Sequence, residues 1–380
     1  MKGISELFRP SRKRRSDETK QSDLVLPEGL CRRFSLAEIK IATNNFDEYF
    51  VIGQGDYGTV YKGFIDDPTT ISVAIKRVNI DSRAGFHELK TELLLLCQLR
   101  HSNLAPLIGY CLDHRQMILV YQFIFNGNLG EHLYGTNHDN PLPWKQRLRI
   151  SIGVARVLHY LHTGLKHTII HRNVKPSNIL LDEKWEPKLA DFVSYKLGPP
   201  SLSKALIRVD SSAYSGVQSS TLEHIDPEYF VCGELIDKSD VYSFGLVLLQ
   251  LLCGRKTLEQ RQLLEWVRKC KREGTINEIG DPYLMGKIAP ECFKKYVDIA
   301  TSCVQNKGKN RPTIGEVQVI LEHALELQES ADAARKDVDP GGDHYNYPIV
   351  EYTCSASPPE SEPEESVSDS DITATIWENF

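Results

Sequence analysis

The period of the apolar residues turns lastingly from strand-like to helical near residue 140 of this chain of 380 residues, and no other feature restricts its architecture as much. In "ISVAIKRV", Ile71, Val73 and Ile75 fall on one face while Ala74 and Lys76 share the other, which predicts a strand. "LAPLIGYCLD" and "MILVYQFI" read the same way, and "GFHELKTELLLLCQL" between them reads as an amphipathic helix. Beyond about residue 140 the pattern turns helical. Leu148, Ile152, Ala155, Leu158 and Leu161 recur at three- and four-residue spacing and mark one buried stripe. "DVYSFGLVLLQLLCG" is apolar almost all round, which predicts a helix at the centre of a helical lobe. Strands first and helices later imply an α+β protein: a small sheet lobe over about 34–124 and a larger helical lobe over about 125–328.

Composition separates two flanks from this body. Residues 331–380 hold twelve acidic side chains against Arg335 and Lys336, a net of −10 within a whole-chain charge of −6. Their stretch "SASPPESEPEESVSDSD" is rich in Pro, Ser and Glu, so residues 329–380 are expected to be an acidic disordered tail. Residues 1–33 carry +4, with the basic cluster "RPSRKRR" at 9–15, which is expected to be a flexible tail able to touch an anionic membrane surface weakly. The near-neutral body argues against nucleic-acid binding, whose basic surface would show in the balance. No apolar run reaches the ~20 residues of a membrane span, and the N-terminus lacks a signal peptide's apolar core. Nine scattered cysteines without CxxC spacing fit reduced, packed thiols. The expected setting is cytoplasmic.

The polar motifs are spread through both lobes. "IGQGDYGTV" places Gly53, Gly55 and Gly58 in a G-x-G-x-x-G frame followed by Val60. A dinucleotide site would need a helix directly afterwards, yet "TVYKGFI" reads as a strand. A glycine hairpin between strands instead lets backbone amides approach phosphate oxygens. Eighteen residues past Gly58 stands Lys76, and Glu92 on the following helix offers it an acidic partner. "HRNVKPSNILLD" then supplies His171, Arg172, Asn173, Lys175 and Asn178; "LADFVSYK" supplies Asp191; "IDPEYF" supplies Asp226 and Glu228; "KSDVYSFG" and "NRPT" supply Asp240 and Arg311.

This ordered set resembles the protein-kinase signature of a Gly-rich loop, a VAIK lysine, an HRD loop with its asparagine, DFG and APE. "RRFSLAEIKIATNNFDEYFVIGQGDYGTVYKG" looks like the opening of the kinase domain in plant receptor-like and receptor-like cytoplasmic kinases, near the FERONIA-like branch. The resemblance covers about residues 34–328 and implies a two-lobed kinase fold that binds ATP with Mg2+. By that resemblance, Lys76 contacts the α- and β-phosphates with Glu92 as its anchor, Asn178 and Asp191 hold magnesium, and Lys175 neutralises charge near the γ-phosphate. Val60, Ala74 and Leu180 sandwich the adenine, Tyr121 is the gatekeeper, and Gln122 to Ile124 form the hinge. Glu228 and Arg311 make a buried ion pair, and Asp240 braces the catalytic loop. The implied partners are receptor or receptor-like kinases and other signalling proteins.

Asn173 departs from the pattern. The family's aspartate orients the substrate hydroxyl and accepts its proton; an amide can hydrogen-bond but cannot act as a base. Val193 replaces the glycine of DFG, and a β-branched residue resists positive φ. Ser220 and Glu223 replace glycines near Thr221, and Glu223 adds a negative charge to the substrate-facing loop. Ser201, Ser203, Ser211, Ser212, Ser215, Ser219 and Ser220 crowd the same segment. These departures imply a catalytically impaired pseudokinase scaffold; a slow but active Ser/Thr kinase is the alternative.

Overall fold

In the computed structural model, which describes residues 31–348 apart from 56–57, 67–68, 80–92, 94, 114–115, 135–140, 193–194, 201–206, 209–223, 255–259 and 337–346, the strand-like segments build one sheet. Its strands are β1 (Arg32–Arg33), β2 (Val51–Gly55), β3 (Gly58–Asp66), β4 (Thr70–Val78), β5 (Leu107–Asp113) and β6 (Gln116–Gln122), in the order β1-β5-β6-β4-β3-β2. β1 runs parallel to β5, and the other pairings are antiparallel. The alternation in β4 works as read. Val73 and Ile75 enter a core with Ile118 and Val120, while Ala74 and Lys76 face a cleft on the opposite side.

Helix α1 (Leu36–Ala42) closes the first face of that sheet. Ser35 caps it: its hydroxyl accepts from the Glu38 amide, and the Glu38 carboxylate accepts in return from the Ser35 amide, pairing two donors that a helix start leaves open. Ile39 and Ala42 then pack with Phe34 on Val73 and Ile75. Most of the amphipathic helix expected at "GFHELKTELLLLCQL", Glu92 included, lies outside the described residues. Its last part is helical at Leu93, Leu95 and Leu96, and Leu93 and Cys97 pack against Val78, Tyr110, Met117 and Leu119.

The second lobe contains α2 (Leu129–Tyr134), α3 (Trp144–Thr163), β7 (His167–Ile170), β8 (Ile179–Leu181), β9 (Pro187–Leu189), β10 (Lys196–Pro200), β11 (Ile207–Arg208), α4 (Pro227–Cys232), β12 (Glu234–Leu235), α5 (Asp237–Cys253), α6 (Gln260–Glu273), α7 (Pro290–Cys303) and α8 (Ile314–Lys336). As its composition demands, α5 is buried along nearly its whole length. α3 turns Leu148, Ile152, Ala155, Leu158 and Leu161 into the same core. Tyr296 is satisfied inside it: its hydroxyl donates to the Leu248 carbonyl at 2.9 Å, and its ring meets Trp144 edge-on at 4.8 Å. Among the described residues no helix is long and apolar enough to cross a membrane.

Both expected boundaries of the body shift outward. At the start, Arg32 and Arg33 already pair with Gly109 and Tyr110, so the folded part precedes residue 34. At the other end α8 does not stop at 328 but runs to Lys336, because "QESADAARK" is good helix-forming sequence. Tyr347 also packs back onto the lobe, its amide donating to the Gly286 carbonyl at 2.8 Å and its hydroxyl to Asp332 at 2.7 Å. The basic cluster at 9–15 and the acidic stretch beyond 348 lie outside the described residues.

Candidate active site

A cleft of about 570 Å³ separates the sheet from the helical lobe. Its roof begins at the hairpin of β2 and β3, where Gly55 pairs with Gly58. Gly58 has φ +132°, and a Cβ there would stand 2.0 Å from the Arg77 carbonyl oxygen, so this position admits glycine alone. Among the described residues nothing lies within 4 Å of a Cβ built at Gly55, and at Gly53 one would meet only ordinary contact with Val60. Packing among the described residues therefore requires one of the three glycines. The openness at the other two leaves room for something outside the chain.

Behind the hairpin, β3 and β4 set Val60 opposite Lys76. Val60 and Ala74 offer apolar surface to the cleft from above, and Leu180 on the β8–β9 hairpin offers it from below. Tyr121, Gln122, Phe123 and Ile124 line the back of the cleft. Burial raises the Tyr121 hydroxyl pKa, and the Asp191 charge adds to the shift, which keeps the phenol neutral. After Ile124 the chain is stitched to the lower lobe, with the Asn126 amide donating to the Leu181 carbonyl and the Leu181 amide to Gly127.

The floor is a loop from His171 to Asn178. Its base is fixed by Asp240 on α5, which is fully buried and accepts the amides of His171 and Arg172, each at 2.8 Å, as well as a 2.8 Å contact from His162 Nε2. Burial opposes ionisation of Asp240, but the bond and charge of His162 prevail and lower its pKa. Arg172 takes φ +67° at this bend. Asn178 closes the loop: its side-chain amide donates to the Asn173 carbonyl at 2.8 Å, and its own carbonyl accepts the Ala190 amide.

At the centre, the Asn173 side-chain amide donates to Asp191 Oδ2 at 2.8 Å, and the Lys76 ammonium forms an ion pair with Asp191 Oδ1. Asp191 itself has φ +67°, a conformation that Asp tolerates better than most residues. Burial would raise its pKa, yet the charge and hydrogen bond of Lys76, aided by His171 and Lys175, hold it below the usual carboxylate range. Asp191 is an anion here, and Asn173 is one of its donors.

The structure thus gathers Gly53, Gly55, Gly58, Val60, Ala74, Lys76, Tyr121, Gln122, Ile124, Asn173, Lys175, Asn178, Leu180 and Asp191 around one cleft. Glu92, the expected partner of Lys76, lies outside the described residues, as do Val193, Ser220, Thr221, Glu223 and the loop serines; within them Lys76 pairs with Asp191. The cleft also contains Ala105, Phe125, Asn128, Glu131 and Ser177, which the motifs did not single out. "FNGNL" carried a hint of them, since Gly127 at φ +66° turns the chain beneath the cleft.

The expected ion pair of Arg311 with Glu228 is present, but it is the looser of two that the guanidinium makes. Arg311 makes two parallel bonds to Asp226, at 2.6 and 2.7 Å, with both side chains buried. Glu228 stands 3.9 Å from the guanidinium, is one-third exposed, and accepts the Gly308 amide. The cause is local. Asp226 is the N-cap of α4 and faces inward in extended conformation, whereas Glu228 lies one half-turn on, toward the surface.

The residues present fit a nucleotide with magnesium. The cleft has the volume of a small-molecule site, apolar above and below, with two lysines and one carboxylate at one end. Magnesium commonly takes one or two protein oxygens and leaves the rest to phosphate and water, which Asp191 and Asn178 suit. Among the described residues no cluster of three His, Cys, Asp or Glu side chains offers a metal site that is independent of phosphate.

Comparison with known proteins agrees with this geometry. The family profile described as protein tyrosine and serine/threonine kinase matches residues 47–321. The chain is 52% identical over 319 residues to the receptor-like protein kinase FERONIA of Arabidopsis thaliana, covering 82% of this chain and 34% of that protein. It is 50% identical over 316 residues to the receptor-like protein kinase ANXUR2 of the same plant, and 49% identical over 316 residues to ANXUR1, each match covering 82% of this chain and 36% of the relative. This chain therefore spans about a third of the length of those relatives. It belongs to the protein tyrosine and serine/threonine kinase family, and its kinase domain has strong homology to the FERONIA and ANXUR receptor-like kinases.

Proposed function

We propose that this protein binds ATP with magnesium and acts in receptor-kinase signalling as a catalytically impaired scaffold or allosteric partner. The carrying observation is the 2.8 Å bond from the Asn173 amide to Asp191. The nitrogen that faces the reaction centre donates protons and cannot accept one. When bound, the nucleotide supplies the γ-phosphoryl group. Lys76 and Lys175 would offset its charge, Asp191 and Asn178 would hold magnesium, and the glycine hairpin would cover the phosphates.

What is missing is the acceptor for a substrate hydroxyl proton. Losing general-base help costs about 10²–10⁴-fold in rate, or about 3–5 kcal/mol of barrier. Against the ~1–100 s⁻¹ usual for kinases this leaves slow turnover. The second reading, a slow but active Ser/Thr kinase, is favoured by the complete set of Lys76, Lys175, Asn178 and Asp191. Signalling through contact fits the similarity to receptor-like kinases, and the partner would be such a kinase, with the basic N-terminus available to a membrane surface.

Titrating the protein with ATP and magnesium while following thermal unfolding tests the binding claim. Ligand at 100 times Kd should add about 2.7 kcal/mol of stability. No shift in the wild type, with a normal unfolding transition, would remove nucleotide binding from the proposal.

A further inference from the structure

Away from the cleft, two cysteines distant in sequence share one corner of the sheet lobe. Cys31 directly precedes β1, which lies at the edge of the sheet, and its thiol donates to the Leu107 carbonyl at 4.0 Å. Cys97 ends the helical turn in which its amide bonds to the Leu93 carbonyl, and it is fully buried. Both pack in the cluster of Val78, Leu93, Tyr110, Met117 and Leu119. Cys97 and Arg100 are the neighbours that act on the ionisation of the Cys31 thiol. Both cysteines are free thiols, Cys31 partly accessible and Cys97 covered.

A reactive cysteine needs thiolate character, access and a resolving thiol at hand. The Cys97 hydrogen bond and, against burial, the Arg100 charge bring the Cys31 thiol down to about 7. The same bond, together with burial, raises Cys97. One sulfur is set to attack and the other to resolve.

We infer that Cys31 and Cys97 form a peroxide-sensitive dithiol that closes into a disulfide between the first strand and the helix end. In the first step the Cys31 thiolate attacks one oxygen of hydrogen peroxide and the O–O bond breaks. The departing hydroxide takes up a proton to become water, and Cys31 is left as a sulfenic acid. In the second, the Cys97 sulfur attacks the sulfenic sulfur; the S–S bond forms, the S–O bond breaks, and the hydroxyl leaves as water with the Cys97 proton. Two thiols and one peroxide give one disulfide and two waters. The bond closes a loop from residue 31 to residue 97 and ties the edge strand to the helix that follows β4.

Peptide mapping of the full chain reads this directly. After a few equivalents of hydrogen peroxide, alkylation and non-reducing tryptic digestion, peptide 21–32 should appear joined to peptide 91–100, each of which contains one cysteine. Reduction should abolish the joined species, and exposed Cys232 should remain alkylated. Without peroxide, Cys31 should react with iodoacetamide at pH 7 several-fold faster than Cys232, and Cys97→Ala should remove that advantage. Overoxidation of Cys31 with Cys97 still alkylatable, pairing of Cys31 with another cysteine, or no joined peptide under conditions that oxidise Cys232 would each overturn the inference. The mapping is done on the wild-type protein, so it stands even if Cys97→Ala does not fold.

Discussion

The base and the tip of the loop from His171 to Asn178 are built to different standards of necessity. At the base, Asp240 is buried, ionised and bonded to two backbone amides and an imidazole. At the tip, the side chain that meets the reaction centre is an amide, and it bonds to the carboxylate suited to magnesium. The contrast separates two kinds of constraint. Folding requires the base, because a buried carboxylate without its donors is costly, whereas the tip can change its chemistry and keep its shape. Asn and Asp have nearly the same volume, and the amide even removes the repulsion that a second carboxylate beside Asp191 would bring.

The largest effect on stability should come from the scaffold side of that contrast. Arg311→Ala would leave Asp226 buried without its partner and should cost about 3–5 kcal/mol in urea unfolding. A loss below about 1 kcal/mol would mean that the bidentate pair does not anchor the lobe.

Next in size is Lys76→Met, which acts at the tip. It should cost roughly 1–3 kcal/mol at pH 7, since Asp191 loses its charged hydrogen bond. The sign of the acid response follows from the depressed Asp191 pKa. In the wild type that stabilisation is present above the unfolded carboxylate's value of about 4 and is lost as pH falls through the lower folded value. The variant should therefore lose less stability than the wild type between pH 5 and 2, while the Asp240 contribution persists in both. An unchanged acid slope would place the coupling elsewhere.

The smallest effect should be that of Glu228→Gln, below about 1 kcal/mol, because a partly exposed carboxylate 3.9 Å from the guanidinium contributes little. A loss equal to that of Arg311→Ala would restore Glu228 as the principal partner.

The Arg311 pair also marks where sequence reading ends. Periodicity was enough for β4, α3 and α5, because burial imposes a spacing that the residues display directly. The resemblance to the kinase signature likewise implied that Gly58, Lys76, Asn178 and Asp191 share one site, and they line one cleft. In "IDPEYF", however, two acids stand two residues apart, and spacing does not tell which one turns inward. That depends on Asp226 capping α4, a matter of tertiary geometry. The extension of α8 to Lys336 was missed for another reason: the change of composition near residue 330 conceals about two more turns of favourable helix. The cysteine corner was invisible too, since no local pattern links residue 31 to residue 97.

The central claim is that an amide at position 173 leaves the transfer centre without a proton acceptor. It is tested most directly by γ-phosphate transfer to a protein substrate, comparing the wild type, Asn173→Asp and Lys76→Met under saturating ATP and magnesium. Wild-type turnover should lie about 10²–10⁴-fold below that of Asn173→Asp and close to that of Lys76→Met. Wild-type turnover in the range of about 1–100 s⁻¹, abolished by Lys76→Met and unchanged by Asn173→Asp, would contradict it.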